Sequence, residues 1–201
     1  MITIIDYGMG NIGSIENMIK KLGFKSLITS DPKIISRSSK IILPGVGSFD
    51  EGMKNLSKLK IVAALKEANK KGAKILGICL GMQLLTKSSE EGELAGLGFI
   101  NAKTIKFKLS KDHKIPHMGW NYVDIKSKNK LTLDLIQKSR FYFVHSYHVV
   151  CEDKSNVMMV TNYGVEFTSA IVKNNVFGVQ FHPEKSHKFG LKLMENFIKN
   201  V

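Results

Sequence analysis

The stretch Gly77-Ile78-Cys79-Leu80-Gly81 follows an apolar run, Lys74-Ile75-Leu76, and opens a helical pattern from Leu80 to Leu85. This order predicts a strand, a sharp turn and a helix, with a glycine on each side of a reactive side chain. Flanking glycines remove the Cβ clashes of such a turn, so Cys79 can hold a strained backbone. Its thiol then stands at a helix N-terminus, where unpaired N–H groups and the helix dipole favour thiolate. The N–H of Leu80 is expected to be free to donate to an oxyanion. A small buried cysteine at the end of a core strand is the competing reading. A base and an orienting group elsewhere in the chain decide between them.

Both occur near the other end, in Phe177-Gly178-Val179-Gln180-Phe181-His182-Pro183-Glu184. Pro183 pushes His182 into an extended conformation. If extension continues, the period of two puts His182 and Glu184 on one face. The histidine can then take the thiol proton while the carboxylate fixes its tautomer and supports the imidazolium. Either residue alone reads as ordinary surface chemistry. A cysteine joined by a histidine far downstream is the expected layout of a cysteine nucleophile.

The remaining chain sets these groups in an α/β frame. Ile2 to Ile5 is an apolar strand, and a helix follows with Ile12, Ile15, Ile19 and Leu22 on one stripe, stopped by Gly23. Phe24 to Thr29 and Lys40 to Leu43 are further strands. Glu51 to Lys71 reads as one helix with Ile61, Ala64, Leu65 and Ala68 on its apolar face. This alternation predicts a mostly parallel central sheet with helices on both faces, whose ligands bind at the carboxyl ends of the strands. Cys79 lies at that edge. So does Pro44-Gly45-Val46-Gly47, whose N–H groups could complete an oxyanion hole. From Leu97 onwards short strand-like runs take over: 103–107, 120–125, 140–150, 157–163 and 164–173. They predict an antiparallel or mixed extension, closed by a helix from Lys185 to Lys199. No linker or repeat divides the chain, so residues 1–201 read as one domain.

Three other features suggest other functions. Gly8-x-Gly10-x-x-Gly13 sits between strand and helix with Asp31 downstream, a dinucleotide-binding pattern that is weak when it stands alone. A net charge of +13, from 30 Lys+Arg against 17 Asp+Glu, suggests nucleic acid. Yet the lysines are scattered and arginine occurs only at Arg37 and Arg140, which favours solvated helix faces. His145-x-x-His148-x-x-Cys151 could hold metal, but on one strand His145 and His148 would point to opposite faces. Cys79 and Cys151 are the only cysteines, which implies no disulfide framework and fits a reducing cytoplasm. No apolar run is long enough to span a membrane.

Five stretches resemble the class I glutamine amidotransferases, and within them the glutaminase subunits of imidazole glycerol phosphate synthase. They are 6–11, 44–47, 77–85, 116–121 (Pro-His-Met-Gly-Trp-Asn) and 178–186 (Gly-Val-Gln-Phe-His-Pro-Glu-Lys-Ser); Phe143 to Tyr147 fits as well. The resemblance implies a three-layer fold and a Cys79-His182-Glu184 triad that hydrolyses L-glutamine through a thioester, without cofactor or metal. It implies that Leu80, Val46 and Gly47 hold the oxyanion and that Gln83 positions substrate. His145, Ser146 and Tyr147 are expected near the glutamine or the partner face. The ammonia would pass to a separate synthase, a cyclase forming a heterodimer with this chain. A paralogue aminating sugars for surface polysaccharides is the alternative. A peptidase on a similar fold is a further one.

Overall fold

The computed structural model describes residues 1–201. Its first half alternates β1 (Ile2–Ile5), α1 (Ile12–Lys21), β2 (Ser26–Thr29), α2 (Pro32–Ile35), β3 (Lys40–Leu43), α3 (Phe49–Lys58), α4 (Ile61–Lys70), β4 (Lys74–Ile78) and α5 (Leu80–Leu84). Then come β5 (Ser88–Ser89), β6 (Ala102–Lys106), β7 (His117–Ile125), β8 (Ser139–His145), β9 (Tyr147–Cys151), β10 (Val157–Tyr163), β11 (Val165–Lys173), β12 (Val176–Val179) and α6 (His187–Lys199).

All strands belong to one sheet with the main order β2-β1-β3-β4-β12-β11-β10-β7-β8; β5, β6 and β9 branch from it through β11. The first five strands of that order are parallel, and the β12–β11–β10–β7–β8 stretch is antiparallel. Successive residues of the parallel strands face opposite sides. Ile42 and Leu76 pack with α1 and α6, whereas Ile41, Leu43 and Ile75 pack with α3, α4 and α5. Burial on both faces is why these strands are continuously apolar. The result is three layers, as expected.

The helix expected over 51–71 is two. Phe49, Met53 and Leu56 form the buried stripe of α3, and Ile61, Ala64, Leu65 and Ala68 that of α4. The step of five from Leu56 to Ile61 would rotate the second stripe off the core if the helix ran on. Exposed Lys60, at φ 59°, absorbs the break. The strand expected over 140–150 is also two, because the chain leaves β7 at Ser146 and pairs next with β6 and β11. His145 and His148 therefore do not alternate along one strand. Both rings lie against Phe107, at 5.2 and 4.7 Å. Cys151 is buried, and desolvation pushes its thiol up to about 11, which suits a structural role.

Candidate active site

β4 ends at Ile78, and Cys79 takes φ 55° and ψ −111° before α5 begins, a backbone that a non-glycine residue holds only under strain. The turn is sealed by Cys79 N–H donating to Val179 O (2.8 Å) and by Cys79 O accepting from Met82 N–H (3.0 Å). Gly81 is obligatory: a Cβ there would stand 1.9 Å from Leu43 O. α5 is only five residues long, so it offers little beyond one turn of oriented amides.

The base arrives on the neighbouring strand. β12 pairs in parallel with β4, and the chain beyond it passes through His182, whose N–H donates to Tyr142 O (2.9 Å). His182 Nδ1 lies 2.7 Å from Glu184 Oε1, and both side chains are almost wholly buried. The contact forms across a short 3₁₀ turn at Pro183–Lys185 rather than by continued strand, which corrects the period-two argument while keeping its outcome. Ser186, which sequence reasoning left without a role, clamps this turn. Its hydroxyl donates to His182 O (2.5 Å) and accepts from Tyr142 N–H (3.0 Å).

Burial alone would lower the pKa of His182. Hydrogen bonding and negative charge from Cys79 and Glu184 outweigh it and raise the ring from 6.5 to about 10. Its Nε2 is buried without a well-formed hydrogen bond, so that nitrogen is not committed to another protein group. Cys79 Sγ also receives a long contact from Gln180 Nε2 (3.8 Å).

A cavity of ≈ 310 Å³ opens at Cys79. Its walls contain Val46, Gly47, Leu80, Gln83, His145, Ser146 and Tyr147, and also Glu91, Pro116 and Val144. Glu91, the only carboxylate there, also accepts from Phe49 N–H (2.8 Å); nothing in its surroundings in sequence marked it. Gln83 Nε2 donates to Tyr147 O (3.2 Å) and Gln180 Oε1 (3.1 Å).

One expectation fails. The N–H of Leu80 is not free, because it donates to Gly45 O at 3.3 Å. The carbonyl occupying it belongs to the Gly45–Val46 peptide, so Val46 N–H, one of the donors expected from the Val46–Gly47 segment, points away with it. Buried Tyr7 donates its hydroxyl to the adjoining Pro44 O (2.7 Å). Burial, then the charge of Cys79, pushes that phenol up, so it stays protonated. The dinucleotide pattern also has structural duties here. Asp31 caps α2 by accepting from Lys33 N–H (2.8 Å), and Gly10 lies so close to Pro44 and Gly45 that a Cβ would stand 3.0–3.2 Å from them.

The buried imidazoles bracket stability in pH. Desolvation lowers His117 to about 4 and His145 to about 3, so below about 6.5 the unfolded chain binds more protons and stability falls with falling pH. His182 is raised instead; its contribution is complete below 6.5 and is lost as pH rises through about 10. Calorimetric melts should show both limbs, and Glu184→Gln should flatten the alkaline one. An unchanged alkaline limb in that variant would assign it to other groups.

The family model for class I glutamine amidotransferases matches residues 3–201. The chain is 67% identical over its full length, and that of the relative, to imidazole glycerol phosphate synthase subunit HisH 2 of Methanococcus maripaludis. It is 46% identical, again over both full lengths, to HisH 2 of Pseudomonas aeruginosa. Among solved structures, PurLQS from Thermotoga maritima superimposes with a TM-score of 0.76 at 20% identity, covering 98% of this chain and 96% of that one. The glutaminase domain of CTPS from Trypanosoma brucei gives 0.67 at 18% identity, covering 100% of this chain and 95% of that one. These two likenesses speak for the fold alone.

Proposed function

Because the chain belongs to the class I glutamine amidotransferases, we infer that it hydrolyses L-glutamine and delivers the ammonia to a separate cyclase that makes imidazole glycerol phosphate in histidine biosynthesis. The observation that carries the chemistry is a cysteine on a strained elbow, in a cavity, beside a histidine tied to a buried carboxylate at 2.7 Å. Residues 1–201 act as one glutaminase domain.

Cys79 attacks the side-chain amide carbon of glutamine as thiolate, its proton having passed to His182 Nε2. The C–S bond forms as the carbonyl π pair moves to oxygen. Collapse expels ammonia, which carries the proton returned by His182, and leaves a thioester. Water, deprotonated by the same nitrogen, releases glutamate and restores the thiol. Glu184 holds the ring's tautomer and supports its charge. Glu91 is the carboxylate available to the α-ammonium of the substrate. Oxyanion stabilisation requires the Gly45–Val46 peptide to turn, which frees Leu80 N–H and presents Val46 N–H together.

The acceptor protein docks on β7. Met118, Trp120 and Tyr122 project from one face of this strand and are 61%, 39% and 54% exposed, an apolar row fit for burial against protein. Val46 and Ile115 are also exposed. No helix is long and apolar enough to cross a membrane, and we place the enzyme in the cytoplasm. A sugar-aminating synthase as the ammonia acceptor is the second reading.

Glutamine hydrolysis, measured alone and with the cyclase plus its nucleotide ligand, tests the assignment. Stimulation of about 10²-fold is expected if docking completes the oxyanion hole, since one such donor is worth about that much. Cys79-dependent turnover that ignores the cyclase would transfer the chain to the second reading.

A further inference from the structure

The reverse face of β7 carries groups that the triad does not use. Asn121 is held from two sides: its Oδ1 accepts from Tyr122 N–H (2.8 Å) and its Nδ2 donates to Asn162 O (2.9 Å). These backbone partners have fixed roles, so the amide cannot be reversed without two donor–donor or acceptor–acceptor contacts. Nδ2 also faces His117 Nε2 at 3.2 Å, which makes that nitrogen an acceptor and places the ring's single proton on Nδ1. His117 Nδ1 lies 3.0 Å from His145 Nε2, so His145 accepts there and bears its own proton on Nδ1. His145 Nδ1 then donates to Tyr147 O at 2.8 Å.

The Tyr147 end of the chain of bonds fixes the same tautomers. A backbone carbonyl can only accept, so His145 Nδ1 must be the donor. With one proton on each ring every contact is a hydrogen bond. A second proton on His117 would set donor against donor at Asn121; one on His145 would do so at His117. Both rings are buried, at 2% and 6% exposure. His117 is stacked between Tyr163 (4.1 Å) and Phe143 (4.9 Å), and His145 packs against Phe107 (5.2 Å) and Phe167 (5.1 Å).

The far end of the chain of bonds is the substrate cavity. Tyr147 O accepts from His145 and also from Gln83, which bonds Gln180, the residue that touches Cys79 Sγ. We propose that Asn121, His117 and His145 are positioning residues: a tautomer-locked relay that holds the Tyr147 carbonyl and Gln83 in the geometry that receives glutamine. The proposal rests on the glutaminase reading and adds to it two side chains that do not line the cavity, Asn121 and His117, behind His145, which does.

The test uses the full chain. Long-range ¹⁵N–¹H spectra should show His117 and His145 neutral, each protonated on Nδ1, near pH 7. In Asn121→Asp the amide donor becomes an acceptor, and His117 should gain a proton on Nε2. On a non-hydrolysing Cys79→Ala background, that variant should bind glutamine roughly tenfold more weakly by calorimetry, the loss of about one hydrogen bond. Were Asn121→Asp to fail to fold, His117→Asn keeps a donor near the Nδ1 position and should retain affinity that His117→Leu loses at equal melting temperature. Nε2-protonated rings in the parent chain, a tautomer indifferent to Asn121→Asp, or unchanged affinity across these variants would overturn the relay. Failure of the Cys79→Ala parent to bind glutamine would instead strike the glutaminase reading.

Discussion

Cys79→Ala abolishes glutamine hydrolysis, with an expected loss of about 10⁴-fold or more in ammonia release, the scale seen when a nucleophile is removed from a covalent mechanism. No neighbouring group can replace it. The nearby side chains are a histidine engaged by Glu184 and the amides of Gln83 and Gln180, none of which forms a thioester. The fold should survive, because alanine at φ 55° bears the same backbone strain as cysteine and leaves only a sulfur-sized gap. Ammonia release and a melting curve on one preparation check both parts. A variant that hydrolyses glutamine at the parent rate would end the triad assignment.

Gly81→Ala is expected to be as damaging to the fold as Cys79→Ala is to turnover. The new Cβ would stand 1.9 Å from Leu43 O and 2.9 Å from Leu43 C, and neither is a side chain that can swing away. Relief requires α5 to lift off the end of β3, although β3 is paired with β4 through Leu43 and Gly77. Overpacking against backbone at such a junction costs on the order of 3 kcal/mol or more, a large part of a domain's net stability. Gly13→Ala is the control. It lies exposed in α1 with nothing within 4 Å of the added atom, and alanine should stabilise the helix by about 0.5–1 kcal/mol. Paired melting curves should show opposite signs; equal losses would contradict the close approach at the elbow.

The contrast between these glycines shows what sequence could and could not supply. Gly77-x-Cys79-x-Gly81 identified the elbow because a tight strand-to-helix turn leaves few alternatives. The apolar strands and amphipathic helices placed the parallel half of the sheet, since burial period is a local property. Contacts between distant backbone segments left no such trace. The Leu80 N–H is taken by Gly45 O, from a loop on the other side of two helices in the chain, and no residue type announces a peptide's orientation. The break at Ser146 is set by competition between the β7 ladder and the β6 and β11 ladders, which is tertiary. Glu91 looks like any loop carboxylate until the cavity is closed around it. His117 is similar: its stretch pointed to the family, but its single tautomer follows from partners 4 and 28 residues away.

The parallel pairing of β12 with β4 carries a consequence for when activity can arise. Gln180 and Cys79 are 101 residues apart in sequence, and β12 is both the neighbour of the nucleophile strand and the link to the antiparallel half. Pairing of this kind is slow, because loop-closure entropy must be met before the contact rewards it. During synthesis the nucleophile emerges long before its base. On the proposed mechanism, a nascent chain therefore carries Cys79 without the imidazole that activates it, and turnover of glutamine waits until the last strand enters the middle of the sheet.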